Sequence, residues 1–222
     1  MTTSTQPFEE RHVLEVEGAG SIVEAGGGLA VIVLSIIGLA GANPGFMVSI
    51  AGIALGAALL AEGGAIAGEY SKLVHMTTGG RFDAAELGGG MTTELIAGGA
   101  ALVLGILGLL HLAPLTLMPI ASITVGAALV LTSGAVQRLN DVKVRALGLS
   151  DTARRVTHAA VSSAAGAQVF TGVGAIVLGI LALTTAPGAA ATLTLVAFLA
   201  IGAAVTLSGS ALAGRLMKAF AK

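Results

Sequence analysis

The chain has 222 residues, of which 55% are hydrophobic and 10% are charged, and its formal net charge is −1. A soluble domain carries about 25% charged residues, so this composition excludes an ordinary soluble protein and a disordered chain. It contains no cysteine and no excess of positive charge, which excludes a disulfide-stapled secreted domain and a basic nucleic-acid-binding surface. An integral membrane protein remains.

Apolar stretches long enough to span a bilayer recur along the chain. A helix needs roughly 20 mostly apolar residues to cross the hydrocarbon core. Breaks at Pro44, Pro114 and Pro187 join the stretches in pairs, and because proline disfavours a helix interior we expect each break to be a hairpin turn. The predicted fold is all-α, with six transmembrane helices at about 26–43, 46–67, 95–113, 115–136, 169–186 and 190–211.

Positive charges predict the orientation of these helices. The eleven Lys and Arg residues all lie outside the Pro turns. Because cytoplasmic segments are enriched in these residues, we expect both termini in the cytoplasm and the helices in the cell (inner) membrane, with no cleavable signal peptide. The predicted cytoplasmic segments are an acidic N-terminal segment (1–25), a loop (68–94), a loop or helix extension (137–168) and a basic tail (212–222).

The three hairpins (26–67, 95–136 and 169–211) repeat one pattern at nearly constant spacing. In each hairpin, a Leu-rich helix is followed by the Pro turn and then by a second helix. The second helix carries a central Gly-Ala-Ala sequence, which begins at Gly56, Gly126 and Gly202. Because every unit has two spans, successive units share one orientation, which predicts parallel repeats. We expect a pseudo-threefold arrangement of three hairpins.

Small residues four positions apart predict close helix packing, because they let two backbones approach. Glycine and alanine are so abundant here that such pairs also arise by chance, and a pore is not implied. The predicted packing positions are Gly52, Gly56, Gly105, Gly126, Gly179 and Gly202.

This hairpin unit resembles the repeat of the HdeD-type acid-resistance membrane proteins, which are small six-span bacterial proteins. The resemblance covers the three hairpins and not the charged segments between them. It implies a role in survival of acid stress, and it supplies no catalytic residues. Rotor-ring proteolipids and mitochondrial carriers are also built of helical hairpins. The former carry an ion-binding carboxylate deep in the second helix, whereas Glu62 lies near the cytoplasmic side and has no equivalent in the other repeats, and the charged Arg-Gln-Pro type of loop is missing. The proline–acid–base signature of the latter is absent here.

Glu62 is the one ionisable residue well inside a predicted span, and its positions in the other repeats hold Thr132 and Ser208. An intramembrane carboxyl group is a functional-site hypothesis by default, here a proton-exchange site. The alternative is a polar contact, in which Glu62 reaches the cytoplasmic headgroups or hydrogen-bonds Thr132 or Ser208 across the repeat axis.

Equivalent polar residues also precede the first helix of each hairpin. Glu24, Glu94 and Gln168 predict a polar collar at the cytoplasmic ends of these helices. Compensation of the helix dipole explains such acids without a ligand, and a cation site is the sharper alternative. His111, the one titratable side chain in the Pro turns, is either a sensor of external acid or inert.

The sequence carries no recognisable catalytic motif, metal-ligand spacing or cofactor-binding motif, so we expect no enzyme, no cofactor and no metal. Three functions remain open. The first is a non-enzymatic stress protein that associates with itself in the lipid bilayer, and the second is an accessory or scaffold subunit of a larger membrane complex. The third is a small channel or transporter along the repeat axis.

Overall fold

The structure is a computed structural model that describes residues 6–76, 84–146 and 151–220, with side chains described at 23–64, 92–133 and 165–208. Over these ranges the chain is helical and contains no strand, so the all-α prediction is confirmed. The helices are α1 (Gln6–Leu39), α2 (Pro44–Met76), α3 (Ala84–Leu109), α4 (Pro114–Ala146), α5 (Asp151–Thr184) and α6 (Pro187–Phe220).

Each hairpin turns at its proline. Pro44, Pro114 and Pro187 are the first residues of α2, α4 and α6. Proline suits this position because its fixed φ matches the helix and its missing N–H would have no partner within the helix. The predicted segments between hairpins contain helix as well, since α2 continues to Met76 and α3 begins at Ala84.

The ends of α1 and α3 have the same capping geometry. The N–H of Ala42 donates to the carbonyl of Ile37 (3.3 Å), and the N–H of Leu112 donates to that of Leu107 (3.1 Å). The residue that precedes each donor is left-handed, Gly41 with φ of 96° and His111 with φ of 60°. Glycine adopts this conformation freely, whereas a residue with a Cβ atom pays a steric cost.

We therefore expect His111→Gly to stabilise the protein by about 0.5–1 kcal/mol, because it removes the left-handed strain while making the unfolded chain more flexible. Thermal unfolding followed by circular dichroism measures the change. Leu110→Gly is the matched control: Leu110 is exposed and has no left-handed φ, so glycine there should destabilise. A loss of stability in His111→Gly would contradict the role of this residue as a strained helix cap.

Among the residues whose side chains are described, five helices are long and apolar enough to cross a membrane, over Pro44–Gly64, Thr92–Leu109, Pro114–Ser133, Ala165–Thr184 and Pro187–Ser208. In α1 the described apolar segment is shorter, Val23–Leu39. A multi-pass helical membrane protein is therefore supported.

The helices pack as an inner and an outer set. α1 contacts α2 and α6, α3 contacts α2 and α4, and α5 contacts α4 and α6. The inner helices α2, α4 and α6 also contact one another. The contact of α1 with α6 closes the arrangement, so that each outer helix lies in the groove between two inner helices.

Side chains fill the space between the inner helices. The largest of them, Phe198, is fully buried beside Gly52: a Cβ atom on Gly52 would lie 3.6 Å from Cε2 of Phe198. A large residue on one helix thus compensates a small one on another, as close packing requires. Other fully buried residues of the inner helices are Val48 and Leu55 on α2, Met118 and Val125 on α4, and Thr194 and Ile201 on α6.

Glycines allow each outer helix to approach an inner one. A Cβ atom on Gly56 would lie 2.6 Å from the carbonyl oxygen of Gly98, and one on Gly126 would lie 2.6 Å from that of Gly172. At the third crossing, a Cβ atom on Gly202 would lie 2.9 Å from the carbonyl oxygen of Gly28. Side chains at these positions would push the backbones apart.

Gly105 and Gly179 lie farther along the outer helices, toward the Pro turns. A Cβ atom on either would come within 2.9 Å of an inner-helix carbonyl oxygen, that of Ser49 or of Pro119. Both glycines therefore lie at helix contacts.

Candidate functional site

Three carboxyl groups lie at the same end of the bundle. This end is opposite the Pro turns, and we call it the loop end. Glu24 is near the start of the apolar segment Val23–Leu39, Glu62 is near the end of Pro44–Gly64, and Glu94 is near the start of Thr92–Leu109. Because α1 and α3 run antiparallel to α2, these positions come to one level. Within the described side chains they are the only Asp, Glu, Lys or Arg residues, and we call them the carboxyl cluster.

Hydrogen bonds connect the carboxyl cluster across helices. The side chain of Glu24 on α1 hydrogen-bonds to Glu62 on α2 and to Ser208 on α6. The side chain of Glu94 on α3 hydrogen-bonds to Thr132 on α4. Glu62 is also close enough to both Glu24 and Glu94 to interact with them electrostatically, so the three carboxyl groups form one cluster.

The members of the cluster differ in burial. Glu24 and Glu94 are each only 3% exposed, whereas Glu62 is half-buried. Oε1 of Glu24 and Oε2 of Glu94 are buried without a hydrogen-bond partner among the described residues. An unpaired buried polar atom is costly, and it is far more costly when the group is charged.

Two sites that sequence reasoning separated are one site in the structure. The polar collar (Glu24, Glu94 and Gln168) and Glu62 were predicted independently, yet Glu24 reaches Glu62 directly. The hydroxyl partners Thr132 and Ser208 occupy the positions equivalent to Glu62 in the other two repeats. This equivalence is the feature of the sequence that could have predicted a single site. Gln168 is half-buried on α5, and no described contact joins it to the carboxyl cluster.

The cluster does not have the geometry of a metal centre. Among the described residues, no group of three or more His, Cys, Asp or Glu side chains is arranged to hold a metal ion. Hydroxyl and carboxyl groups linked in pairs across helix contacts are instead suited to hold protons, since each can donate or accept.

The opposite end of the bundle has a small cavity of about 80 Å³ between the first two Pro turns. His111 contributes to its lining and is exposed, and its backbone caps α3. The other lining residues are Asn43, Gly45, Phe46, Gly108, Leu109 and Pro114.

Comparison of the chain with protein-family models, with curated proteins and with solved structures found no match.

Proposed function

We propose that the chain is a six-span membrane protein that helps a cell survive acid stress in the manner of the HdeD-type proteins, without enzymatic activity and without a cofactor. Its three parallel hairpins surround a pseudo-threefold axis, with α1 as the sixth span. The termini face the cytoplasm, and the protein associates with itself in the cell membrane. The stress role rests on the resemblance of the hairpin repeat.

The observation that favours this proposal over a channel is the filled centre of the bundle. Phe198 on α6 is fully buried against Gly52 on α2, and Leu55 and Ile201 are fully buried in the same apolar core, which favours a filled axis over an open ion path. A filled core of this kind is typical of a helical bundle without a central pore.

The outward surface supports membrane embedding. Large apolar side chains are exposed along the outer helices, among them Phe170 (83%) and Ile96 (66%). In water such a surface would aggregate, whereas lipid tails solvate it. The surface is equally suited to lipid, to a second copy and to another membrane protein, so the accessory-subunit function is an outcome of the test.

The test combines survival and composition. A strain without the gene should survive an acid shock less well than its parent, and the gene supplied on a plasmid should restore survival. The particle extracted from native membranes in a mild detergent should contain several copies of this chain alone. Unchanged acid survival would contradict the stress role, and stoichiometric foreign subunits would make the chain an accessory component instead.

A further inference from the structure

We propose that the carboxyl cluster is a proton-binding site, in which Glu24 and Glu62 share one proton and Glu94 holds a second proton against Thr132. The ligand is the proton itself and not a metal cation. This inference concerns the chemistry of the loop end and holds whether or not the protein serves in acid stress.

The side chains of Glu24 and Glu62 are joined by a hydrogen bond. An ionised carboxylate can only accept hydrogen bonds, so two carboxyl groups that hydrogen-bond to each other need a proton on one of them. The contact joins α1 to α2 at the boundary of their apolar segments. One proton held between the two groups satisfies this hydrogen bond and leaves the pair with a single negative charge.

The side chain of Glu94 on α3 is hydrogen-bonded to that of Thr132 on α4. The Thr132 hydroxyl donates its one hydrogen to the carbonyl oxygen of Ala128, at 2.8 Å. The hydroxyl has one hydrogen, so it can donate to Ala128 or to an ionised Glu94, but not fully to both. A protonated Glu94 that donates to the Thr132 hydroxyl lets both hydrogen bonds form at once.

One carboxyl oxygen of Glu24 and one of Glu94 are buried without a hydrogen-bond partner among the described residues. These atoms are Oε1 of Glu24 and Oε2 of Glu94. Both residues are only 3% exposed. A buried ionised carboxylate with an unpaired oxygen is far more costly than a neutral carboxylic acid in the same place. This burial independently favours the protonated forms.

The surrounding helices offer no other titratable group within the described side chains. The groups that face the cluster are Thr132 from α4 and Ser208 from α6, and Gln168 occupies the corresponding level of α5. None of these ionises near neutral pH. The described histidine, His111, is at the opposite end of the bundle.

Infrared spectroscopy of the purified full-length chain in lipid nanodiscs tests the proposal. At pH 7 an isolated glutamate, with a pKa of about 4.3, is ionised. The wild-type protein should nevertheless show the carbonyl absorption of protonated carboxyl groups, shifted in D₂O. The repeat itself supplies conservative variants, since Glu24→Gln copies Gln168 and Glu62→Thr copies Thr132.

Glu24→Gln and Glu62→Thr should each remove the absorption of the shared proton, and Glu94→Gln should remove the second component. The triple variant should lose both. Ser208→Ala keeps every carboxyl group but removes a hydrogen bond to Glu24, so it should shift the absorption without loss. Glu10→Gln, which lies outside the cluster in sequence, should leave the spectrum unchanged.

The proposal is overturned if the wild type shows no protonated carboxyl group at pH 7, or if the triple variant keeps the same absorption. It is also overturned if calcium binds the wild type in calorimetry and fails to bind the triple variant, because the cluster would then be a cation site. None of these results depends on cell survival, so the stress role and the proton site can fail separately.

Discussion

Gly172→Ala should destabilise the bundle by about 3 kcal/mol, at the upper end of the cost of overpacking a core. A Cβ atom at this position of α5 would lie 2.5 Å from the carbonyl oxygen of Gly126 and 2.8 Å from Cγ2 of Val130. Backbone at such a crossing cannot yield as a flexible side chain can, so α4 and α5 must separate. Thermal unfolding in detergent, followed by circular dichroism, measures the loss.

Gly174 provides the matched control, two residues farther along the same helix. A Cβ atom there would meet nothing within 4 Å, so Gly174→Ala should stabilise the protein by up to about 1 kcal/mol through helix propensity. Equal effects of the two substitutions would show that glycine content matters and that the helix crossing does not.

Phe198→Ala should cost about 3–5 kcal/mol, because it leaves a cavity where the inner helices meet. Phe198 is fully buried, and its partner position Gly52 has no side chain to fill the space. The measurement is again thermal unfolding, with the oligomeric state checked by size-exclusion chromatography.

Phe170 is the control for this substitution, since it is the same residue type at 83% exposure. Phe170→Ala should change stability by no more than about 0.5 kcal/mol, as for other surface positions. Adding Gly52→Ala to Phe198→Ala should recover part of the loss, because the new methyl group enters the vacated volume. A similar cost at both phenylalanines would contradict a packed centre.

The carboxyl cluster shows where prediction from sequence reached its limit. In the sequence, Glu62 is unusual because it interrupts an apolar stretch, and Glu24 and Glu94 are notable because the repeat places them in register. Their meeting depends on α1 lying between α2 and α6, and α3 between α2 and α4. Spacing along the chain contains no information about which neighbour each outer helix selects.

Gly56 and Gly52 illustrate the same limit within one helix. Both belong to a small-residue pair that predicts close packing, yet Gly56 faces the backbone of α3, whereas Gly52 also provides space for Phe198 across the centre. Apolar side chains occur on all faces of these helices, because lipid tails are as apolar as a protein interior. The pattern that separates a buried face from an exposed one in a soluble helix is therefore weak.

The linear sequence was sufficient for those features that depend on the composition of short segments. Hydropathy predicted helices of membrane-spanning length, and proline predicted where each hairpin turns, since both effects act within a few residues. The filled centre, the glycine crossings and the contact of Glu24 with Glu62 emerged only from the assembled bundle. They join residues that are distant in the chain, and they depend on how side-chain volumes fit together across helices.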